Sequence, residues 1–156
     1  MMDKLPPIEK IYEAYSAIAD GRVSMDEGRA TVLSSNKAKE YSVTWSDTAY
    51  SSNDNATQWQ GYAGYPVIAV LMLQGILPLN KGIASLFAGI NWTKANAAAK
   101  RDYAKAVELM LEQRGYDEST KQKIQAEAEL LHKKMAGLNI TIKRGGSRPK
   151  LNPVGK

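Results

Sequence analysis

An α+β domain is the fold class this sequence predicts, and three observations predict it. Residues 29–52 carry strand-like alternation punctuated by turn residues. Residues 66–77 form an apolar run bracketed by Pro66 and Pro78. The chain before and after these segments repeats its apolar residues at helical spacing. Together they predict a small antiparallel sheet, a meander over 29–52 joined by a strand over 138–143, packed against about five helices around a buried helix near 66–77.

Pro6 and Pro7 open the first helix, where a missing N–H costs nothing. Ile8, Ile11, Tyr12, Tyr15, Ile18 and Ala19 supply one buried face, and Gly21 the stop. Ser24 to Glu27 matches a capping box, but Gly28, Thr31 and Val32 oppose a long helix, so one helical turn at most is expected there. A strand near Ala30 to Ser34 follows. Tyr41, Val43 and Trp45 alternate with Ser42, Thr44 and Ser46 as a half-buried strand does, Ser46 to Thr48 turns the chain, and Ala49 to Ser51 pairs back. Asp54 or Asn55 caps a short helix through Gln60.

The run from Pro66 to Leu79 holds no charge. A dozen helical residues span only about 18 Å, too short for a bilayer, so burial inside the protein is expected and no membrane. Ile83, Leu86, Phe87 and Ile90 share a face of a second short buried helix, limited by Gly82 and Gly89. Thr93 starts a long helix through Arg114, ended by Gly115; Asp117 or Ser119 starts another, ended by Gly137. A short loop between them predicts an antiparallel helical hairpin. Leu138, Ile140 and Ile142 alternate with polar residues as a last strand. No linker divides the chain, which reads as one domain, 1–143, with a basic Gly/Pro-containing tail, 144–156.

Several chemistries are excluded by residue counts. With no cysteine there is no disulfide framework, thiolate metal site or cysteine nucleophile. One histidine, His132, cannot build a multi-histidine centre, and its place at the edge of an apolar helix face suits a surface role. Neither a Walker loop nor a dinucleotide fingerprint is present, so no cofactor is expected. A calcium loop starting at Asp47 fails at Ala49, Ser52 and Gln58, and no metal is expected. The amino terminus lacks a basic stretch followed by an apolar run, so the expected compartment is the cytoplasm.

Two features carry functional expectations. Residues 1–92 sum to −2 and residues 93–156 to +7, with no acidic residue after Glu129. Lys133, Lys134, Lys143, Arg144, Arg148 and Lys150 are therefore candidates for contacting a polyanion, or for a solvated end. Six of the twelve aromatics fall between Tyr41 and Tyr65, the later ones interleaved with amides. Tyr50, Asn53, Asp54, Asn55, Gln58, Trp59, Tyr62 and Tyr65 are candidate ligand-binding residues, since rings stack and amides read polar edges. The same rings also serve to close the core, and the amides to cap turns.

Three readings of function follow. The first is a non-catalytic interaction or homo-oligomeric assembly module, in which a second copy completes the 66–90 helices. The second is a module binding RNA or DNA through the basic end and the aromatic segment 50–65. The third is a small enzyme with carboxylates or hydroxyls in loop 47–65, which requires a concave pocket holding titratable groups.

Overall fold

The computed structural model describes residue 2, residues 4–145 and residues 147–151. Helix α1 (Glu9–Ala19) forms as its proline entry and apolar spacing require. It ends where Gly21 takes a φ of 65° and Arg22 N–H reaches back to Ala17 O at 2.9 Å. Its surroundings differ from a one-faced helix, because every residue from Lys10 to Ala17 is buried. Other helices cover the side that the apolar spacing leaves polar.

The sheet begins earlier than residue 29. The segment with the capping-box pattern is strand β1 (Val23–Asp26), paired antiparallel with β2 (Arg29–Leu33) through a two-residue loop, Glu27–Gly28. Gly28, at φ 70°, supplies the left-handed backbone that tight hairpins require, and that requirement overrides the capping box. Strands β3 (Lys39–Ser46) and β4 (Ala49–Ser52) continue a four-stranded meander, with Asp47 at φ 54° in the tight turn between them. The last strand, β5 (Thr141–Arg144), starts three residues later than the alternation suggested and lies parallel to β4. The sheet is therefore mixed, not purely antiparallel. A parallel neighbour needs a long crossover, and here the intervening helices provide it.

Helix α2 (Tyr65–Leu73) is apolar all round and buried from Pro66 to Met72, lying between α1 and strands β1, β3 and β4. It stops four residues before Leu77, where Gly75 at φ 78° turns the chain and Leu77 N–H bonds back to Leu71 O. Helix α3 (Lys81–Ser85) is capped by Asn80 Oδ1, which accepts from Ile83 N–H at 3.0 Å.

The single helix expected over 93–114 is two. Helix α4 (Trp92–Ala98) is capped by Asn91 rather than Thr93, and α5 (Tyr103–Gln113) by Asp102. Between them Lys100 and Arg101 both adopt positive φ, 55° and 64°, which breaks the helix without a glycine or proline. Helices α5 and α6 (Glu118–Ala136) do not form a hairpin along their lengths; both pack on α1. Gly115 turns at φ 68°, and the Tyr116 hydroxyl donates to Leu86 O at 2.5 Å, drawing their loop toward the end of α3.

Part of the tail also folds. Gly145 N–H donates to Ser52 O, and β6 (Lys150–Leu151) pairs antiparallel with Lys39 and Glu40 of β3. Residue 146 and residues 152–156 of that tail lie outside the described residues. The fold is α+β, a six-stranded mixed sheet with helices packed on it. No helix among the described residues is long and apolar enough to cross a membrane.

Candidate functional site

Asp54 is the residue around which the site is built. It follows β4, and its Oδ2 accepts the N–H of Thr57 at 3.1 Å, opening a π-helical turn over Ala56–Gln60. The fully buried Thr57 hydroxyl in turn accepts Gly64 N–H at 3.1 Å, fastening this turn to the start of α2. Gly64 has no side chain for a steric reason, since a Cβ there would stand 2.0 Å from Asp54 Oδ2. The other carboxyl oxygen, Oδ1, is buried and accepts no hydrogen bond among the described residues. Buried acceptors of this kind are nearly always paired in native structures, with protein, ordered water or a bound ligand. The π-helical turn is a second unusual feature, because the wide i to i+5 turn is rare and frequently occurs at functional sites.

Asp54 lines a cleft of about 680 Å³. Six other places in the fold contribute to it: α1 with Lys10 and Glu13, the β2–β3 turn with Ser34 and Ser35, Tyr41 of β3, the π-helical turn itself, the entry to α2 with Tyr62 and Tyr65, and the α4–α5 region with Asn96, Arg101 and Tyr103. The left-handed pair Lys100–Arg101 matters here, because it redirects the chain so that Arg101 and Tyr103 reach the same cleft as α4.

Lys10 and Glu13 are buried, with Nζ and Oε2 3.3 Å apart. The Lys10 ammonium also sits 4.4 Å from the centre of the Tyr103 ring, a cation–π contact. Burial would lower the pKa of Lys10, but Glu13 and the neighbouring tyrosines outweigh it and the net direction is upward, so the ammonium stays charged. Burial pushes the Glu13 carboxyl up, against the opposing pull of Lys10 and of the Asn96 amide at 3.5 Å. Tyr41 and Tyr65 meet edge to face, 6.2 Å between centroids. Burial, with a contribution from Asp54, pushes the Tyr41 hydroxyl up to about 12, and Tyr65 moves in the same direction. Behind them the Arg22 guanidinium is anchored to Asp20 and to Leu33 O, 2.6 Å from Nη1.

The eight ligand-binding candidates divide. Asp54, Asn55, Trp59, Tyr62 and Tyr65 line the cleft together. The Tyr50 ring stacks on Trp45, and its hydroxyl donates to Gln74 Oε1 at 2.7 Å, away from the cleft. Asn53 Oδ1 accepts Ser42 N–H at 2.8 Å while its amide reaches Ser147 and Arg148. Gln58 ties Asn53 O to Ser147 O. These three hold the framework.

The basic candidates do not share one face. Strand alternation sends Lys143 and Arg144 to opposite sides of β5, with the Arg144 guanidinium toward Gly61. Lys150 stands opposite Glu40 in the register, and Lys133 and Lys134 are exposed in the last turn of α6. His132 Nε2 donates to Pro6 O at 2.8 Å, a structural bond.

Residues 3–141 match one family model. The chain belongs to the family described as uncharacterised conserved protein UCP014422. Every residue that lines the cleft lies inside the matched span, while Lys143, Arg144, Arg148 and Lys150 lie beyond it. No curated protein and no solved structure matches the chain.

Sequence reasoning missed Lys10, Glu13, Tyr41, Asn96, Arg101 and Tyr103 as site residues. Lys10 and Glu13 look like a solvated i, i+3 pair on the polar side of α1, and nothing local says that α4 and α5 cover that side. Tyr41 did carry a signal, as one of the clustered aromatics.

Proposed function

We propose that this protein binds a small, polar, ring-bearing molecule in the cleft beside Asp54. The observation that carries the reading is that Asp54, whose buried Oδ1 has no partner among the described residues, lines a cleft to which six aromatic residues contribute. A buried acceptor without a donor is costly, by about 1–3 kcal/mol, and a ligand that donates to it removes the penalty. A volume of about 680 Å³ also falls within the range of about 300–1,000 Å³ usual for small-molecule sites.

Two facts favour this reading over the assembly and nucleic-acid readings. The apolar run is buried by its own chain from Pro66 to Met72, with Val67 to Leu71 fully enclosed, so this part asks for no second copy, while Leu73 and Ile76 beyond it are exposed. The exposed basic side chains of β5 point to both sides of the sheet, which offers a phosphate backbone no single track.

The test is amide-resolved NMR of the full chain titrated with small polar compounds of several classes: neutral sugars, nucleosides, amines and phosphates. The expected result is shifts concentrated at residues 54–65 and 92–103 for at least one class. Shifts scattered over the surface, or none at the cleft for any class, overturn the proposal.

A further inference from the structure

The charge balance and layout of the cleft narrow its ligand class further, and this step rests on the binding reading just given. Two cations, Lys10 and Arg101, face it, and so do two carboxyl groups, Glu13 and Asp54. Lys10 is already paired with Glu13 at 3.3 Å. Recognition of a phosphate or a polyamine relies on a surplus of one sign of charge at the site. This wall has no surplus, so an uncharged ligand fits it best.

Among uncharged ring compounds, the layout separates two types. A nucleobase carries its polar atoms in one plane, on its edges, and asks for stacking faces with hydrogen-bonding groups at one level. A saccharide ring carries hydroxyls around its whole perimeter, each both donor and acceptor, and C–H groups on its faces. The polar groups of the cleft come from separate parts of the fold, an origin that suits the second type. Ser34 and Ser35 come from the β2–β3 turn, Asn55 and Gln60 from the π-helical turn, and Thr93 and Asn96 from α4. Trp59 is 69% exposed at the rim of the same cleft, so its flat apolar face is open to a ring. Asp54 Oδ1, buried and unpaired, takes a donor that a hydroxyl supplies.

We propose that the ligand is an uncharged saccharide, packed by a ring face on Trp59 and donating one hydroxyl hydrogen bond to Oδ1 of Asp54. Trp59 contributes area without fixing the fold, because most of its surface is in water. Asp54 contributes specificity, because a ligand lacking a donor at that point leaves the oxygen orphaned.

The experiment titrates the full chain with glucose, N-acetylglucosamine, maltotriose, cellotriose and chitotriose, following cleft amides by NMR and heats by calorimetry. Adenosine, spermidine and glucose 6-phosphate are run beside them. At least one neutral saccharide is expected to bind at the cleft, with glucose 6-phosphate no tighter than glucose. Trp59→Ala should weaken that binding about tenfold, about 1.4 kcal/mol, with the fold unchanged. Asp54→Asn, which keeps an acceptor for Thr57 but places an amide N–H₂ where Oδ1 was, should weaken it at least as much. Cleft shifts with adenosine or spermidine but with no saccharide overturn the saccharide assignment and leave the cleft reading standing. Saccharide binding that neither substitution weakens also overturns the assignment. Silence from every compound overturns both.

Discussion

Replacing Gly64 with alanine tests how the Asp54 carboxyl is held. The backbone at Gly64, φ −73° and ψ 173°, is open to any residue. In such a place alanine, by reducing the freedom of the unfolded chain, would by itself stabilise by about 0.4–1 kcal/mol. The contact runs the other way. The new Cβ would lie 2.0 Å from Asp54 Oδ2, 2.7 Å from Cγ and 3.0 Å from Oδ1. The carboxyl must move, and moving it breaks the Thr57 N–H bond that opens the π-helical turn. Overpacking costs about 1–3 kcal/mol and a lost hydrogen bond to a carboxylate about 1.5–3 kcal/mol. Partial relaxation brings the expected loss to about 3 kcal/mol, or about 6–12 °C in Tm for a domain of this size. Urea unfolding and calorimetry of Gly64→Ala measure it. The cycle with Asp54→Ala isolates the cause, because in that background there is no carboxyl to displace and Gly64→Ala should be neutral or slightly stabilising. A loss under about 1 kcal/mol in the single variant, or an equal loss in both backgrounds, would refute the reasoning.

Four further outcomes are expected. Ser16→Ala removes the hydroxyl that accepts Trp92 Nε1–H at 2.7 Å and donates to Phe87 O at 2.6 Å, orphaning two buried groups; urea unfolding should show a loss of about 2–4 kcal/mol, and a loss under about 1 kcal/mol would contradict the bonding. Leu71→Ala, at a fully enclosed position of α2, should cost about 2–5 kcal/mol by the same assay, whereas a mild effect would mean that α2 is not central. Burial first of all holds the Tyr12 and Tyr41 hydroxyls up at about 12 in the folded chain against 10 in the unfolded one. Above pH 10 the unfolded chain therefore releases phenol protons that the folded chain keeps, so stability is full below about pH 10 and falls toward pH 12, by up to about 2.7 kcal/mol per phenol; urea midpoints that stay level across this range would count against it. Light scattering at low and high salt should return the mass of one chain, 17.1 kDa, and a salt-resistant dimer would revive the assembly reading.

How far the sequence reaches is clearest where signals are local. The proline entry and Gly21 exit of α1, the alternation of β3, and the caps Asn80, Asp102 and Asp117 each act within a few residues of themselves. Of these caps, only Asp117 was anticipated. At Ser24 to Glu27 two local signals conflict, and strand pairing with β2 settles which one prevails. The break at Lys100–Arg101 has no local signature, because neither residue favours positive φ; Asp102 N–H donating to Ala99 O and Asp102 capping α5 hold the break open.

The sequence by itself determined that the protein is α+β, that most of the 66–77 run is interior, and that no cysteine or multi-histidine chemistry operates here. It also marked the 50–65 stretch as unusual in its density of aromatics and amides. The tertiary structure alone decided that Tyr50, Asn53 and Gln58 hold the framework while Asp54, Trp59, Tyr62 and Tyr65 face a cleft. It alone brought Lys10 and Glu13 into the same cleft from a helix side that looks solvated. Periodicity reports which residues share a face of their own element, but what covers that face is set by contacts between residues far apart in the chain. A cleft made from seven parts of the fold exists only once those contacts have formed.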